Sequence, residues 1–404
     1  MSSSSVHHRG WVDLPMELLE QILQRLSLMD NLMNCRATCR SWRKVADAIF
    51  SSQLPLLLSL TSSGYVCYNS SQWFESNIGI GVLSAPWSNH DSSLLIESWP
   101  SRSSRYNYLR VHSVQGWLMF NNFHYVSDKT FCEISFFNPF SRARFTLPKL
   151  FLFLRHPIYR QFRVVFNSAP PGSDEFVVVL LCVFRDKDNG KTKQKLAFFK
   201  FKQGSWIELE SVVEMNEIFY DIAVDGDDKL YGLSYTRNTS VVFVLNLKDH
   251  HHERLVMLNT IEDVNFDGVL YGMGIPTYRT QQLAMDTSTG ELLLVDRLEE
   301  TWSPFRTEGF SVYKLERSGP RWCEVFDIGD RFLFWDDRKV SFVSAKGRLR
   351  VPEKFKGGNC IFFSNEHCDP DKGVFFLADR TITLFPINRS AYRSFEDMWF
   401  TPAP

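Results

Sequence analysis

From Trp11 to Phe50 the apolar residues recur with helical period. Leu18, Leu19, Ile22, Leu23 and Leu26 fall at offsets 0, 1, 4, 5 and 8, one wide stripe, while Glu17, Glu20, Gln21, Gln24 and Arg25 take the other side. Pro15 suits the first turn of this helix, where its missing N–H would have had no partner. Ser27, with Asp30 three residues on, resembles a capping box with Asp in place of Glu, and opens a second helix through Leu32, Met33 and Cys35. A third runs from Ser41, with Trp42, Val45, Ala46, Ile49 and Phe50 on its buried side. The pattern predicts three short helices.

After about residue 60 short apolar runs alternate with turn residues, the pattern of an all-β sandwich, barrel or propeller. Internal similarity favours the propeller. Asp225-Gly226 followed by Leu230-Tyr231-Gly232 recurs as Asp267-Gly268 followed by Leu270-Tyr271-Gly272, so the Leu-Tyr-Gly elements lie 40 residues apart, a blade-like interval. A second echo pairs Phe198–Phe201 and Trp206-Ile207-Glu208 with Val312–Leu315 and Trp322-Cys323-Glu324: a strand, a turn containing Gly, then a Trp-led strand. Dividing the 344 residues from 61 to 404 by roughly 45 to 50 per four-stranded blade predicts six to seven blades. Ring closure would protect strand edges that otherwise invite aggregation.

Composition fits a folded chain: 404 residues, 44% hydrophobic and 23% charged. The 15% aromatic content, with 35 Phe, suits strands. Forty-five basic against 46 acidic residues give a net charge of -1, so no global field draws the chain to nucleic acid or anionic lipid. Arg36, Arg40, Arg43 and Lys44 would fit a helix-turn-helix DNA reader, but the charge balance and the apolar first helix weigh against it. The Ser- and His-rich start carries no signal-peptide core, no apolar run is long enough to cross a bilayer, and eight scattered Cys read as reduced thiols. The cytoplasm or nucleus is the expected location. Forty residues in three helices are too few to bury their own core, so the bundle either packs on the rest of the chain or offers apolar surface to a partner.

The residues that form this bundle resemble the F-box: Leu14-Pro15, then Leu18-Leu19, Ile22-Leu23 and Leu26, and finally Cys39-Arg40-Ser41-Trp42-Arg43. Thr38 stands where the family often has Val. The resemblance implies a Skp1-type adaptor as partner, contacted by Leu14, Pro15, Leu18, Leu19, Ile22 and Leu23. It implies that Leu26, Leu32, Cys39, Trp42 and Val45 hold the motif together. Downstream, the chain resembles the kelch-like β-propeller of a large plant F-box family. The likeness rests on Phe137-Asn138-Pro139-Phe140 leading to Leu147-Pro148, Thr289–Val295, Phe310–Leu315, Ile328–Arg331, Gly358–Phe363 and Trp399-Phe400-Thr401-Pro402, in that order. The paired glycines of true kelch blades are missing, Gly357-Gly358 being the only adjacent pair.

Motifs for chemistry are few. Gly190-Lys191-Thr192 lacks the upstream Gly of a phosphate loop, Arg185 standing there, and Asp188-Asn189-Gly190 reads as a hairpin turn. Cys35 with Cys39, and Cys360 with His367 and Cys368, lack the further ligands of a zinc site, and His250–His252 reads as a solvated loop. Asp227-Asp228 and Asp336-Asp337 are adjacent carboxylates in turn contexts. No catalytic residue, metal or cofactor is expected. The resulting expectation is a short disordered start (1–10), an F-box (11–55) and a propeller (60–404). Such a chain would be the non-catalytic substrate receptor of an SCF-type ubiquitin ligase, with cullin reached through the adaptor and Trp87 and Trp99 as target-binding candidates. The competing readings are a propeller interaction protein whose bundle is only a cap, and a propeller enzyme.

Overall fold

Helical period gives way to alternation at the same place in three dimensions as in the sequence. In the computed structural model, helices α1 (Met16–Arg25) and α2 (Arg40–Ser51) precede the first strand, which starts at Leu56. The structure describes residues 10–11, 14–25, 34–52, 54–62, 78–84, 91–94, 109–126, 129–139, 141–151, 158–167, 171–185, 192–209, 218–236, 239–247, 256–258, 279–299, 306–316, 321–336, 338–348, 351–365, 371–385 and 396–400. Residues 34–38 are also helical.

The strands form sheets that follow one another along the chain. Sheet 1 holds Leu56–Ser62, Ile78–Ser84 and Asp91–Leu94, completed by the C-terminal strand Glu396–Phe400. Sheet 2 runs Leu109–Val114, Trp117–Val126, Lys129–Phe137 and Arg144–Thr146, with Leu150–Phe151 added beside Lys129–Phe137. Sheet 3 holds Ile158–Phe166, Val177–Arg185, Thr192–Lys200 and Ser205–Glu208. Sheet 4 holds Phe219–Val224, Lys229–Thr236, Thr239–Asn246 and Val256–Leu258. Sheet 5 holds Arg279–Asp286, Glu291–Glu299, Thr307–Glu316 and Arg321–Val325.

These five are antiparallel throughout. Sheet 6 is built differently: the hairpin Arg331–Trp335 and Val340–Ser344 joins the meander Cys360–Ser364, Lys372–Phe376 and Thr381–Leu384 through a parallel pairing of Phe332–Trp335 with Cys360–Phe363. The expected six to seven like blades are therefore corrected, among the described residues, to five antiparallel blades plus this composite sheet. Even division of the chain overcounted because connections of unequal length and two five-stranded sheets consume residues that the arithmetic assigned to blades.

Why sheets stack face to face follows from their middle strands. Val178, Leu180 and Cys182 point into the cluster shared with sheet 2, and Val177, Val179, Leu181 and Val183 into the cluster shared with sheet 4. A strand apolar at every position has no face for water and must be covered on both sides. Leu292 and Leu294 face sheet 4 while Leu293 and Val295 face sheet 6, by the same alternation. Aromatic rings stack across paired strands on these buried faces: Phe136 on Phe145 at 4.5 Å and Phe334 on Phe362 at 4.8 Å. This is where the high Phe content goes.

Both copies of the Trp-led echo fall on hairpins. In sheet 3 Trp206 lies opposite Phe199, and in sheet 5 Trp322 lies opposite Leu315. Aligned on the echo, these partners differ by two residues, a shift that keeps each Trp on its face where a shift of one would reverse it. Asp225 caps the turn before Lys229–Thr236, accepting from the amides of Asp227 (2.9 Å) and Lys229 (2.8 Å) and from the Tyr231 hydroxyl (3.2 Å). Its echo at Asp267–Gly272 lies outside the described residues, as do Asp188-Asn189-Gly190 and His250–His252.

Candidate docking site

The N-terminal helices carry the apolar stripe on which the adaptor-contact expectation rests. Pro15 starts α1, its carbonyl accepting from the amides of Leu18 and Leu19, both at 3.1 Å. The wide stripe then divides. Leu19 and Leu23, four residues apart, are fully buried and belong to one cluster with Val45, Ala46 and Ile49 of α2. That cluster continues into Leu56, Leu58, Met398 and Phe400 of sheet 1 and Val111, Leu118, Phe120 and Phe137 of sheet 2. Leu14 and Trp42 pack against it, half-buried. Leu18 is 46% exposed, Pro15 is exposed and Ile22 is half-buried.

Of the six adaptor-contact candidates, then, Pro15, Leu18 and Ile22 present surface, Leu14 is partly covered, and Leu19 and Leu23 are sealed inside the chain. The physical reason is helical geometry: consecutive residues point about 100° apart, so a stripe that spans two columns cannot put both on one side. Two exposed apolar side chains escaped the sequence reading, Trp11 (70%) and Met16 (40%). The signal for Trp11 was available, an aromatic ring among Gly10, Asp13 and polar neighbours. Its backbone is tied down, because the Trp42 indole N–H donates to the Trp11 carbonyl at 3.1 Å.

Of the residues expected to hold the motif together, Val45 is buried, Cys39 and Trp42 are half-buried, and Leu26 and Leu32 lie outside the described residues. Arg36, a residue of the basic group, forms an ion pair with Asp47 and its carbonyl accepts from Arg43 Nε at 3.2 Å. Both contacts stitch residues 34–38 to α2.

Polar groups in the propeller act as ties between sheets. Asp221 of sheet 4 accepts from the Leu283 amide of sheet 5 at 2.7 Å and lies 3.3 Å from Arg163 Nε of sheet 3. Burial pushes its carboxyl up to about 6 against the pull of Arg163. Arg297 donates to Glu299 at 3.0 Å and to Thr307 Oγ1 at 2.9 Å, lies 3.5 Å from Asp371 and covers the Trp335 ring at 4.7 Å, all inside the boundary between sheets 5 and 6. Arg331 of sheet 6 reaches back to Asp286 (2.9 Å) and Glu291 (2.5 Å) of sheet 5. Burial alone would raise the Asp286 carboxyl, but hydrogen bonds from Ser288 and Arg331 hold it below the usual range. Asn359 closes the same corner, accepting from the Ile328 amide at 3.0 Å. The family-like segments Thr289–Val295, Ile328–Arg331 and Gly358–Phe363 thus meet at one sheet boundary.

Trp87 and Trp99 lie outside the described residues. Among the described residues no group of three or more His, Cys, Asp or Glu could hold a metal ion. Cys360 is buried and its thiol is pushed up to about 12, while His367 and Cys368 are outside the described residues. Among the described residues no helix is long and apolar enough to cross a membrane.

Comparison with known proteins assigns both halves. Residues 11–49 match the F-box domain and residues 88–385 the KIB1-4 β-propeller. F-box protein At3g56470 of Arabidopsis thaliana is 24% identical over 406 aligned positions, covering 98% of this chain and 89% of that protein. Putative F-box/LRR-repeat protein 21 of Arabidopsis thaliana is 54% identical over 37 residues, 9% of this chain and 12% of that protein. Among solved structures, TolB from Acinetobacter baumannii aligns with a TM-score of 0.41 at 9% identity, covering 89% of this chain and 71% of that one.

Proposed function

The chain belongs to the KIB1-4 β-propeller family and carries an F-box domain ahead of its propeller, and from that premise we propose that it is the substrate-recognition subunit of an SCF-type ubiquitin ligase. The helices dock a Skp1-type adaptor, through it a cullin, and the propeller recruits a target protein. The receptor does no covalent chemistry. It raises the target's concentration near the conjugating enzyme, so rate comes from proximity. The proposed place of work is the cytoplasm or nucleus, where thiols stay reduced.

The observation that carries this reading is the set of exposed apolar residues Trp11, Pro15, Met16 and Leu18, left uncovered beside the fully buried Leu19 and Leu23. Leu19 and Leu23 support it from below. Exposed aromatic and aliphatic anchors on a packed helix favour docking, since the backbone that carries them is already ordered. A second reading, in which the bundle is only a cap on the propeller, draws on the core that Leu19 and Leu23 share with Met398 and Phe400. Titration of the purified full chain with a Skp1-type adaptor decides: binding lost in Leu18→Asp, with the fold intact, supports the receptor, and absence of binding by the wild-type chain leaves the cap.

A further inference from the structure

The closing strand Glu396–Phe400 touches two parts of the chain that are remote from it in sequence. Paired with the first strand of sheet 1, it places Phe400 opposite Leu56 and Met398 opposite Leu58. Its alternation sends Met398 and Phe400 into the cluster that holds Leu19, Leu23, Val45, Ala46 and Ile49 of the helices. Trp399, between them, enters the cluster of sheet 6 and donates its indole N–H to the Trp335 carbonyl at 3.0 Å. One strand therefore shuts the ring with its edge, ties to sheet 6 with one face, and completes the floor beneath the helices with the other.

The helices need that floor. Their own buried set is small, and a segment of this size does not support a core alone. We propose that ring closure and adaptor docking are coupled: the strand seated in sheet 1 holds α1 and α2 in the geometry that presents Leu18, and an adaptor bound to the helices in turn holds the strand in place. Coupling between two binding events is reciprocal, so whatever factor closure contributes to adaptor affinity, the adaptor returns to closure. This rests on the receptor reading for its second half only. The first half is a property of the chain itself.

Hydrogen exchange of the full chain, read by mass spectrometry, tests both halves. Met398→Ala opens a cavity under the helices, and amides of Leu18–Arg25 and Val45–Ser51 are expected to exchange at least about tenfold faster, while Val177–Arg185 in sheet 3 keeps its rate. Trp399→Phe removes the N–H tether on the opposite face together with the five-membered part of the indole but keeps a six-membered aromatic ring against Phe334 and Phe362, a milder change that remains informative where the first variant fails to fold. The same helix amides should again exchange faster, by roughly threefold or more. Unchanged helix exchange in every variant that folds overturns the coupling. Adding a purified Skp1-type adaptor to the wild-type chain should slow exchange in Glu396–Phe400. Binding without that slowing overturns the reciprocal half, whereas failure of the adaptor to bind removes the receptor reading and leaves the two variants to decide the first half.

Discussion

Leu18 and Leu19 are neighbours in the chain and opposites in the fold, the first 46% exposed and the second fully buried. Substitutions at the two positions should separate docking from stability. Leu18→Asp replaces an exposed side chain and should leave stability within about 0.5 kcal/mol. It should weaken adaptor binding by at least about tenfold, as loss of an apolar anchor does. Leu19→Ala creates a cavity between α1 and α2 and should cost about 2–5 kcal/mol. Urea unfolding and calorimetric titration of both variants check this, and equal loss of stability in the two would refute the assignment of faces. A double Asp substitution at both sites would confound the two effects.

The single adjacent glycine pair offers a sharper contrast. Gly358 has φ +70°, and a Cβ there would stand 2.7 Å from the Arg331 backbone nitrogen; at Gly357 a Cβ would meet nothing within 4 Å. Gly358→Ala should therefore lower stability by about 1–3 kcal/mol, from left-handed backbone strain and collision with a backbone that cannot yield. Gly357→Ala should be neutral within about 0.5 kcal/mol. Thermal melts of the two variants side by side read the difference.

Asp221 makes stability depend on pH in an unusual direction. Its carboxyl is raised from 3.8 to about 6, so the folded chain holds a proton that the unfolded chain has lost over that interval. The resulting stabilisation is complete below the unfolded value and disappears as pH rises through about 6, and two units correspond to on the order of 3 kcal/mol. Asp221→Asn keeps an oxygen for the Leu283 amide and removes the titration. The wild-type-minus-variant difference in urea midpoint should fall between pH 4 and pH 6.5 and stay flat above. A difference independent of pH would show that the carboxyl does not titrate there.

How much of this was legible in the sequence depended on how local the cause was. Turn capping by Asp225 and the two Trp-led hairpins are written in short stretches of sequence, and the Trp-led echo falls on matching hairpins. The stripe of α1 was equally plain, yet its division was not, because what turns Leu19 inward and Leu18 outward includes Met398 and Phe400, nearly the whole chain away. Blade arithmetic failed for a related reason: the parallel pairing of Phe332–Trp335 with Cys360–Phe363 leaves no periodic mark. Asp221 and Leu283 lie 62 residues apart on different sheets. Nothing in the alternation of either strand announces that tie.

Arg297 is a deeply buried charge in such a tie, at 1% exposure, with Glu299 and Asp371 as its anionic neighbours. Arg297→Met would keep much of the volume over Trp335 but leave two carboxylates in the boundary between sheets 5 and 6 without that cation, a loss of about 3–5 kcal/mol. Arg297→Lys keeps the charge without the planar fork that reaches Thr307, Glu299 and Asp371 together, and should fall between wild type and Met. Combining Arg297→Met with Glu299→Gln and Asp371→Asn removes the stranded charges while retaining oxygens for the Thr280 hydroxyl and the Thr307 amide. The triple variant should thus be more stable than the single Met variant. Urea unfolding orders the four proteins, and a triple variant weaker than the single one would show that these carboxylates are satisfied without the arginine.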